Sequence, residues 1–309
     1  MVTLFAIPKP FRGQFEIIQR NAIQSWMLLQ PRPEIILFGN DEGTAAIAAE
    51  FGLRHAPDIA RNEYGTPLLS SVFEMAQRSA SHQLMTYINA DIIMMNNFLE
   101  AVSRVSVNRF LMIGQRWDLD VTDLLAFDNP DWEPNLRSML SERGRPHPPS
   151  GVDYYLFTRE LYGELPPFAI GRTAYDNWLI FKARSLGVPV IDATRMVTCI
   201  HQNHERTYAS IGLQAPLQGE TDLRKGIEAR RNLELAGGYD KLFTLADANW
   251  LLTSQGLIPA MTPEHGRRSR QTWLMLHCST VHELRKTMQR LFSLLRRFPV
   301  ALGHHLRRF

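Results

Sequence analysis

Residues 87–93, YINADII, decide how this chain is read. A polar Asn89-Ala90-Asp91 triplet interrupts an apolar run that starts at Leu84 and resumes through Met95. An apolar run of roughly four to eight residues, rich in β-branched and aromatic side chains, predicts a buried strand. A carboxylate inside such a strand carries a desolvation cost unless a cation, a hydrogen bond or water meets it. The strand is therefore expected to end at Ile88. Asn89-Ala90-Asp91 would then turn out at its carboxyl end, with residues 92–95 in the next packed segment.

Working outward, TLFAIPKPF (residues 3–11) is an apolar run closed by two prolines, which suits a first buried strand and its loop. In residues 13–30, Phe15, Ile18, Ala22, Trp26 and Leu29 recur at spacings of three and four, an amphipathic helix. Residues 34–38 give a second strand ending in Gly39-Asn40-Asp41-Glu42. Then come a helix over 42–52, a short strand within 53–59, and a helix opened by Thr66 as N-cap and Pro67 at its first position. This alternation predicts an α/β, Rossmann-like domain with a mixed, mostly parallel central sheet flanked by helices. Such sheets bind ligands at the carboxyl ends of their strands. Lys9, Asn40-Asp41 and Asn89 to Asp91 all fall at such ends, which points to one site.

Further along, the pattern predicts a helix over 96–106 and a strand over 109–117. Residues 118–149 are Pro-rich and loop-like, with a helix near 135–143, and long insertions of this kind are usually functional. A strand over 151–161, a helix over 171–187 and one or two strands within 188–204 follow. Residues 205–213 read as a polar loop, and 222–238 and 245–256 as helices.

The chain has 309 residues, 45% hydrophobic and 21% charged, the composition of a soluble globular protein. No apolar stretch reaches the roughly 18–20 residues needed to span a bilayer, and the amino terminus lacks the basic region of a signal peptide. Cys199 and Cys278 lie far apart, which argues against a disulfide scaffold or a Cys-based zinc site and fits a reducing cytoplasm. The net charge of +3 conceals an asymmetry, since residues 264–309 hold 10 basic and 2 acidic residues, a net of +8. The division expected is a body over 1–258 and a basic amphipathic helical tail over 259–309. In that tail Val281, Leu284, Met288, Leu291, Leu295 and Phe298 form a stripe opposed by Arg285, Lys286, Arg290, Arg296 and Arg297. The stripe suits helix packing or a homodimer. The basic face suits equally an anionic membrane surface, peripheral at its inner side. No nucleic-acid motif accompanies it.

FAIPKPF, FGNDE, INADI, and AYDNWLI followed by CIHQNH, taken in order, make residues 3–205 resemble the GT-A fold of nucleotide-sugar-dependent glycosyltransferases, of the family 2 type. The resemblance implies transfer of a sugar from a nucleotide-diphosphate donor to a glycan or lipid-linked acceptor. In that fold a DxD-type motif after the fourth strand holds Mn²⁺ or Mg²⁺ and the donor, and Asn89-Ala90-Asp91 stands in its place. The first acid is here an amide, which removes one negative charge. The resemblance further implies Asp91 and His201 as metal ligands, with His204 as the runner-up, and Asp176 as the base of an inverting transfer. Asp176 lies in the first turn of its expected helix, where the dipole would keep it ionised. Asp41 would read the nucleobase, Pro8 and Phe11 would flank it, and Arg172 would meet phosphate or an anionic sugar. Read by themselves, Arg61, Arg116 and Arg172 are ordinary solvated or salt-bridged side chains.

Two other functions compete. A sugar-nucleotide-forming nucleotidyltransferase would show a Gly-rich loop after the first strand, where this chain has IPKPFRG with one Gly. A non-catalytic binding protein of the same fold would account for Asn89.

Overall fold

The computed structural model of the chain describes residues 1–204 and 219–260. Their elements run β1 (Val2–Ala6), α1 (Gln14–Met27), β2 (Glu34–Phe38), α2 (Thr44–Glu50), β3 (Arg54–Ala56), α3 (Leu69–Ser79), β4 (Leu84–Ile88), β5 (Ile92–Met94), α4 (Asn97–Ser103), β6 (Leu111–Ile113), β7 (Trp117–Leu119), α5 (Trp132–Arg143), β8 (Arg145–Pro146), β9 (Tyr154–Thr158), α6 (Tyr175–Ser185), β10 (Val190–Asp192), β11 (Cys199–Gln202), α7 (Gly219–Ala236), β12 (Trp250–Thr253) and β13 (Gly256–Pro259). Nine strands form the main sheet in the order β13-β12-β10-β6-β9-β4-β1-β2-β3. Only β9 and β13 run against their neighbours, so the sheet is mixed and mostly parallel, as the alternation predicts.

Period-two alternation in the central strands feeds a core on each face. Phe5, Ile36, Tyr87 and Phe157 point to one side, against Phe73 of α3 and Trp178 and Leu179 of α6. The rings of Phe73 and Phe157 stack there with centroids 5.4 Å apart. Leu4, Leu37, Ile88 and Leu156 point to the other side, against Ala22 and Trp26 of α1, Ile47 of α2 and Phe98 of α4. Burial of each large apolar side chain in these layers contributes about 1.5–3 kcal/mol.

A second, four-stranded sheet, β5-β11-β7-β8, branches off where β4 ends. β11 pairs antiparallel with β5 and parallel with β7. The apolar faces of this sheet, Ile93 and Ile200, pack with Leu136 and Leu140 of α5. The helix expected near 135–143 thus begins at Trp132 and closes this small sheet.

Three sequence expectations need correction. The strand expected over 109–117 is two strands in two sheets, because the chain leaves the main sheet at Gly114. A Cβ there would lie 2.4 Å from the Tyr154 hydroxyl, so only glycine permits this close crossing. The helix expected from Thr66 begins at Leu69. Asn62 Oδ1 accepts the backbone N–H groups of Tyr64 and Thr66, and the Pro67 carbonyl accepts from Ile170, so residues 62–68 are held in a turn and bridge. Residues 245–256 are not helical beyond one 3-10 turn, Leu245–Asp247. The rest enters a β-hairpin, since Trp250 and Leu251 pair with β10 and Gly256, at φ +111°, closes a two-residue turn. The loop expected over 205–213 and, from residue 261, the basic tail with its helix, membrane and dimer readings lie outside the described residues. Among the described residues no helix is long and apolar enough to cross a membrane.

Candidate metal and active site

The chain turns at Asn89-Ala90-Asp91 between β4 and β5, and the Asn89 carbonyl accepts the Ile92 N–H at 3.1 Å. The expectation drawn from YINADII thus describes the backbone. What fixes the turn comes from elsewhere. The Asp91 carbonyl accepts from the backbone N–H of Gln202 at 3.3 Å and from its side-chain Nε2 at 3.1 Å. The fully buried Gln202 also donates to the Ile18 carbonyl and accepts from Asn21 Nδ2. Trp26 Nε1 donates to the Ile92 carbonyl at 2.8 Å, so one face of α1 anchors the strand after the turn.

The register of the small sheet then assembles the site. His201 lies opposite Ile92 on one side and Asp118 on the other. Its Nε2 is 3.8 Å from Asp91 Oδ2, and its Nδ1 is 3.5 Å from Asp118 Oδ1. His204 Nε2 lies 3.3 Å from the same Asp91 oxygen. Asp91, His201 and His204 each offer one ligand atom within 4.8 Å of the others. Asp91 Oδ1 and His201 Nδ1 are buried with no hydrogen-bond partner among the described residues.

The electrostatics bias Asp91 toward its ionised form and His201 toward its neutral form, the forms that bind a metal. Burial pushes the Asp91 carboxyl up, but His204, His201 and Lys9 outweigh it and hold it far below the usual carboxylate range. Burial, reinforced by Arg116, lowers His201 against the opposing pull of Asp91. One carboxylate with two imidazoles is a fitting donor set for a divalent ion of the Mn²⁺ kind, and three protein ligands leave positions for substrate oxygens. Around them, the Lys9 ammonium sits over the Phe15 ring at 4.4 Å, and that ring is 5.2 Å from the His204 ring.

Asn89, just before this cluster, faces a different partner. Its Nδ2 donates to Asp153 Oδ1 at 2.6 Å, and its backbone N–H donates to the Asp153 carbonyl at 3.0 Å. Arg116 donates to Asp153 Oδ2 at 2.6 Å and to Asp118 Oδ1 at 3.1 Å. His147 Nδ1 donates to Asp118 Oδ2 at 2.7 Å. Burial pushes Asp118 up, yet His147, Arg116 and His201 together hold it below the usual range.

Asp176 stands in the first turn of α6, as expected, but its pKa moves up rather than down. Burial, reinforced by the Asp153 charge, pushes its pKa up to about 6, outweighing the bond from the Asn177 N–H at 2.9 Å. The preceding Ala174 holds φ +91°, a left-handed conformation that a residue with a Cβ adopts at a cost. Asn232 of α7 pins this approach by accepting the Ala169 N–H and donating to the Ala169 and Thr173 carbonyls. Arg172 donates to Glu228 Oε2 at 2.7 Å, and the fully buried Glu228 also accepts from Asn62.

The remaining expected residues are engaged locally. Asp41 pairs with Arg61 at 2.6 Å. Pro8 is buried. Phe11 is 8% exposed and belongs to the core, packed against Gly43, where a Cβ would fall 2.6 Å from the Phe11 Cβ. Sequence reasoning missed Asp118, His147 and Asp153; His147 is 29 positions from Asp118, and Asp153 is 64 from Asn89. For Asp118 and His147 the available signal was a group of charged and imidazole side chains inside a long Pro-rich insertion; Asp153 offered none, since it stands in the expected strand over 151–161.

No protein-family model and no curated protein matches the chain in sequence. Solved structures do align with it. A mannosyltransferase from Pyrobaculum calidifontis, in complex with GDP-Man and Mn²⁺, is 14% identical over 78% of this chain and 72% of its own, at a TM-score of 0.43. GalNAc-T7 with UDP, GalNAc and Mn²⁺ is 17% identical over 75% of this chain and 48% of its own, at 0.45. Glucosyl-3-phosphoglycerate synthase from Mycobacterium tuberculosis, with Mg²⁺ and UDP, is 15% identical over 77% of this chain and 80% of its own, at 0.42. At such levels these likenesses carry no functional weight.

Proposed function

We propose that the chain is a metal-dependent glycosyltransferase of the hexosyltransferase kind, moving a sugar from a nucleotide-diphosphate donor to a hydroxyl of a glycan or lipid-linked acceptor. The observation that carries this reading is the Asp91, His201 and His204 cluster at the carboxyl end of β4. A divalent ion bound by these three side chains would supply charge neutralisation for a departing diphosphate. Asp91 contributes the fixed negative charge, and the two imidazoles add nitrogen ligands. Lys9, whose charge reaches Asp91, supports the anionic end of the donor.

Asp176 is the proton acceptor in this reading. With a pKa of about 6 it is mostly ionised at pH 7, yet basic enough to take a proton from an acceptor hydroxyl as that oxygen attacks. Direct attack with a separate base makes the transfer inverting. Asp41, with Arg61 bound to it, and Pro8 are assigned to the nucleoside end.

The test is turnover by purified protein. Incubation with a panel of sugar nucleotides, with Mn²⁺ and with EDTA, is expected to release nucleoside diphosphate only with metal. Donor binding without turnover across a panel of acceptors would favour a non-catalytic binder, and pyrophosphate release from a nucleoside triphosphate would favour a nucleotidyltransferase.

A further inference from the structure

Asn89 stands where the resemblance places a carboxylate, and its surroundings give a reason. Its Nδ2 donates at 2.6 Å to Asp153 Oδ1, while Arg116 donates to Asp153 Oδ2 at the same distance. The Asp153 side chain is only 8% exposed, and that of Arg116 15%. One buried carboxylate is thus shared between one cation and one neutral donor. The backbone N–H of Asn89 adds a third bond, to the Asp153 carbonyl, tying the exit of β4 to the entry of β9. An acid cannot replace Asn89 here without loss. It would offer no hydrogen to Asp153 Oδ1 and would set two carboxylates in contact beside one arginine.

We propose that Asn89 is a positioning residue rather than a lost metal ligand: its amide seats Asp153, and the Asn89–Asp153–Arg116 set fixes the β4 exit that presents Asp91. Arg116 extends the set, because its Nε donates to Asp118 Oδ1, the oxygen 3.5 Å from His201 Nδ1. One arginine thereby links the turn carrying Asp91 to the strand carrying His201. The amide at 89 belongs to an intact site. The proposal rests on the metal-site reading for its functional consequence, but its structural content stands without it.

The experiment compares Asn89→Asp, Asn89→Ala and the double variant Asn89→Asp/Asp153→Asn with the wild type. Melting temperature and Mn²⁺ affinity, by calorimetry or by electron paramagnetic resonance of the free ion, are measured on the full chain. Asn89→Asp is expected to melt lowest of the four and to bind Mn²⁺ no more tightly than the wild type. Asn89→Ala, which removes a donor without adding a charge, is expected to melt above Asn89→Asp. Exchanging the two side chains restores a donor facing an acceptor, so the double variant is expected to melt above Asn89→Asp as well. If Asn89→Asp fails to fold, the double variant and Asn89→Ala decide by their own melting order. Tighter Mn²⁺ binding by Asn89→Asp without loss of stability would overturn the proposal and restore position 89 as a ligand site. Absence of Mn²⁺ binding by the wild type would overturn the metal reading instead, leaving the melting order to judge the proposal.

Discussion

His201 and Asp118 are register partners across β11 and β7, with His201 Nδ1 3.5 Å from Asp118 Oδ1 and the other ring nitrogen, Nε2, facing Asp91. Nδ1 makes no hydrogen bond among the described residues, and Asp118 is the carboxylate placed to accept from it, the contact that fixes the tautomer and orientation of a ligating imidazole. Asp118→Ala is therefore expected to weaken Mn²⁺ binding about 10–100-fold while leaving the fold intact. Isothermal titration with MnCl₂ measures this, and an unchanged affinity would separate Asp118 from the site.

The second prediction concerns pH. The folded protein raises Asp176 from an ordinary 3.8 to about 6. A raised carboxyl favours the protonated form in the fold, so its stabilisation is complete below about pH 4 and is lost as pH climbs through 6. Above that, the buried charge costs at most about 3 kcal/mol, less whatever its remaining solvent contact recovers. Asp176→Asn is expected to be more stable than the wild type at pH 7.5 and indistinguishable from it near pH 4, while losing turnover. Urea unfolding at the two pH values gives the comparison. The wild-type rate should fall on the acid side with an apparent pKa near 6.

A third prediction separates base placement from metal binding. Asn232 satisfies three backbone groups of the 169–173 approach to Asp176. A buried backbone group left without a partner costs about 1–3 kcal/mol. Asn232→Ala should accordingly lose at least about 2 kcal/mol of stability and lower kcat, with Mn²⁺ affinity unchanged. Chemical denaturation and metal titration on one preparation check both halves, and an unaltered kcat would detach α7 from the base.

What the sequence disclosed follows from the range of the forces involved. Strand β2 was legible to the residue, because its boundaries rest on local contrasts between Ile35 to Phe38 and the polar cluster after them. Asp91 and His201 were singled out from the sequence, and the fold brings them within 3.8 Å. Residues 245–256 misled, because a leucine-rich run has helical composition until β10 offers it a partner. The direction of the Asp176 shift was misread for a related reason: the helix dipole is visible in sequence, whereas burial beside Asp153 is not. Asp153, Arg116 and Asp118 were invisible as a set, since only the branching of the small sheet from β4 brings them together.

In this reading, sugar transfer depends on an ion that Asp91, with His201 and His204, would hold. The most direct measurement is nucleoside diphosphate release from a sugar nucleotide by wild-type protein and Asp91→Ala, each with saturating Mn²⁺ and with EDTA. Turnover by the wild type is expected to be abolished by EDTA and restored by Mn²⁺, with none by Asp91→Ala under either condition. Undiminished, metal-independent turnover by Asp91→Ala would contradict this reading.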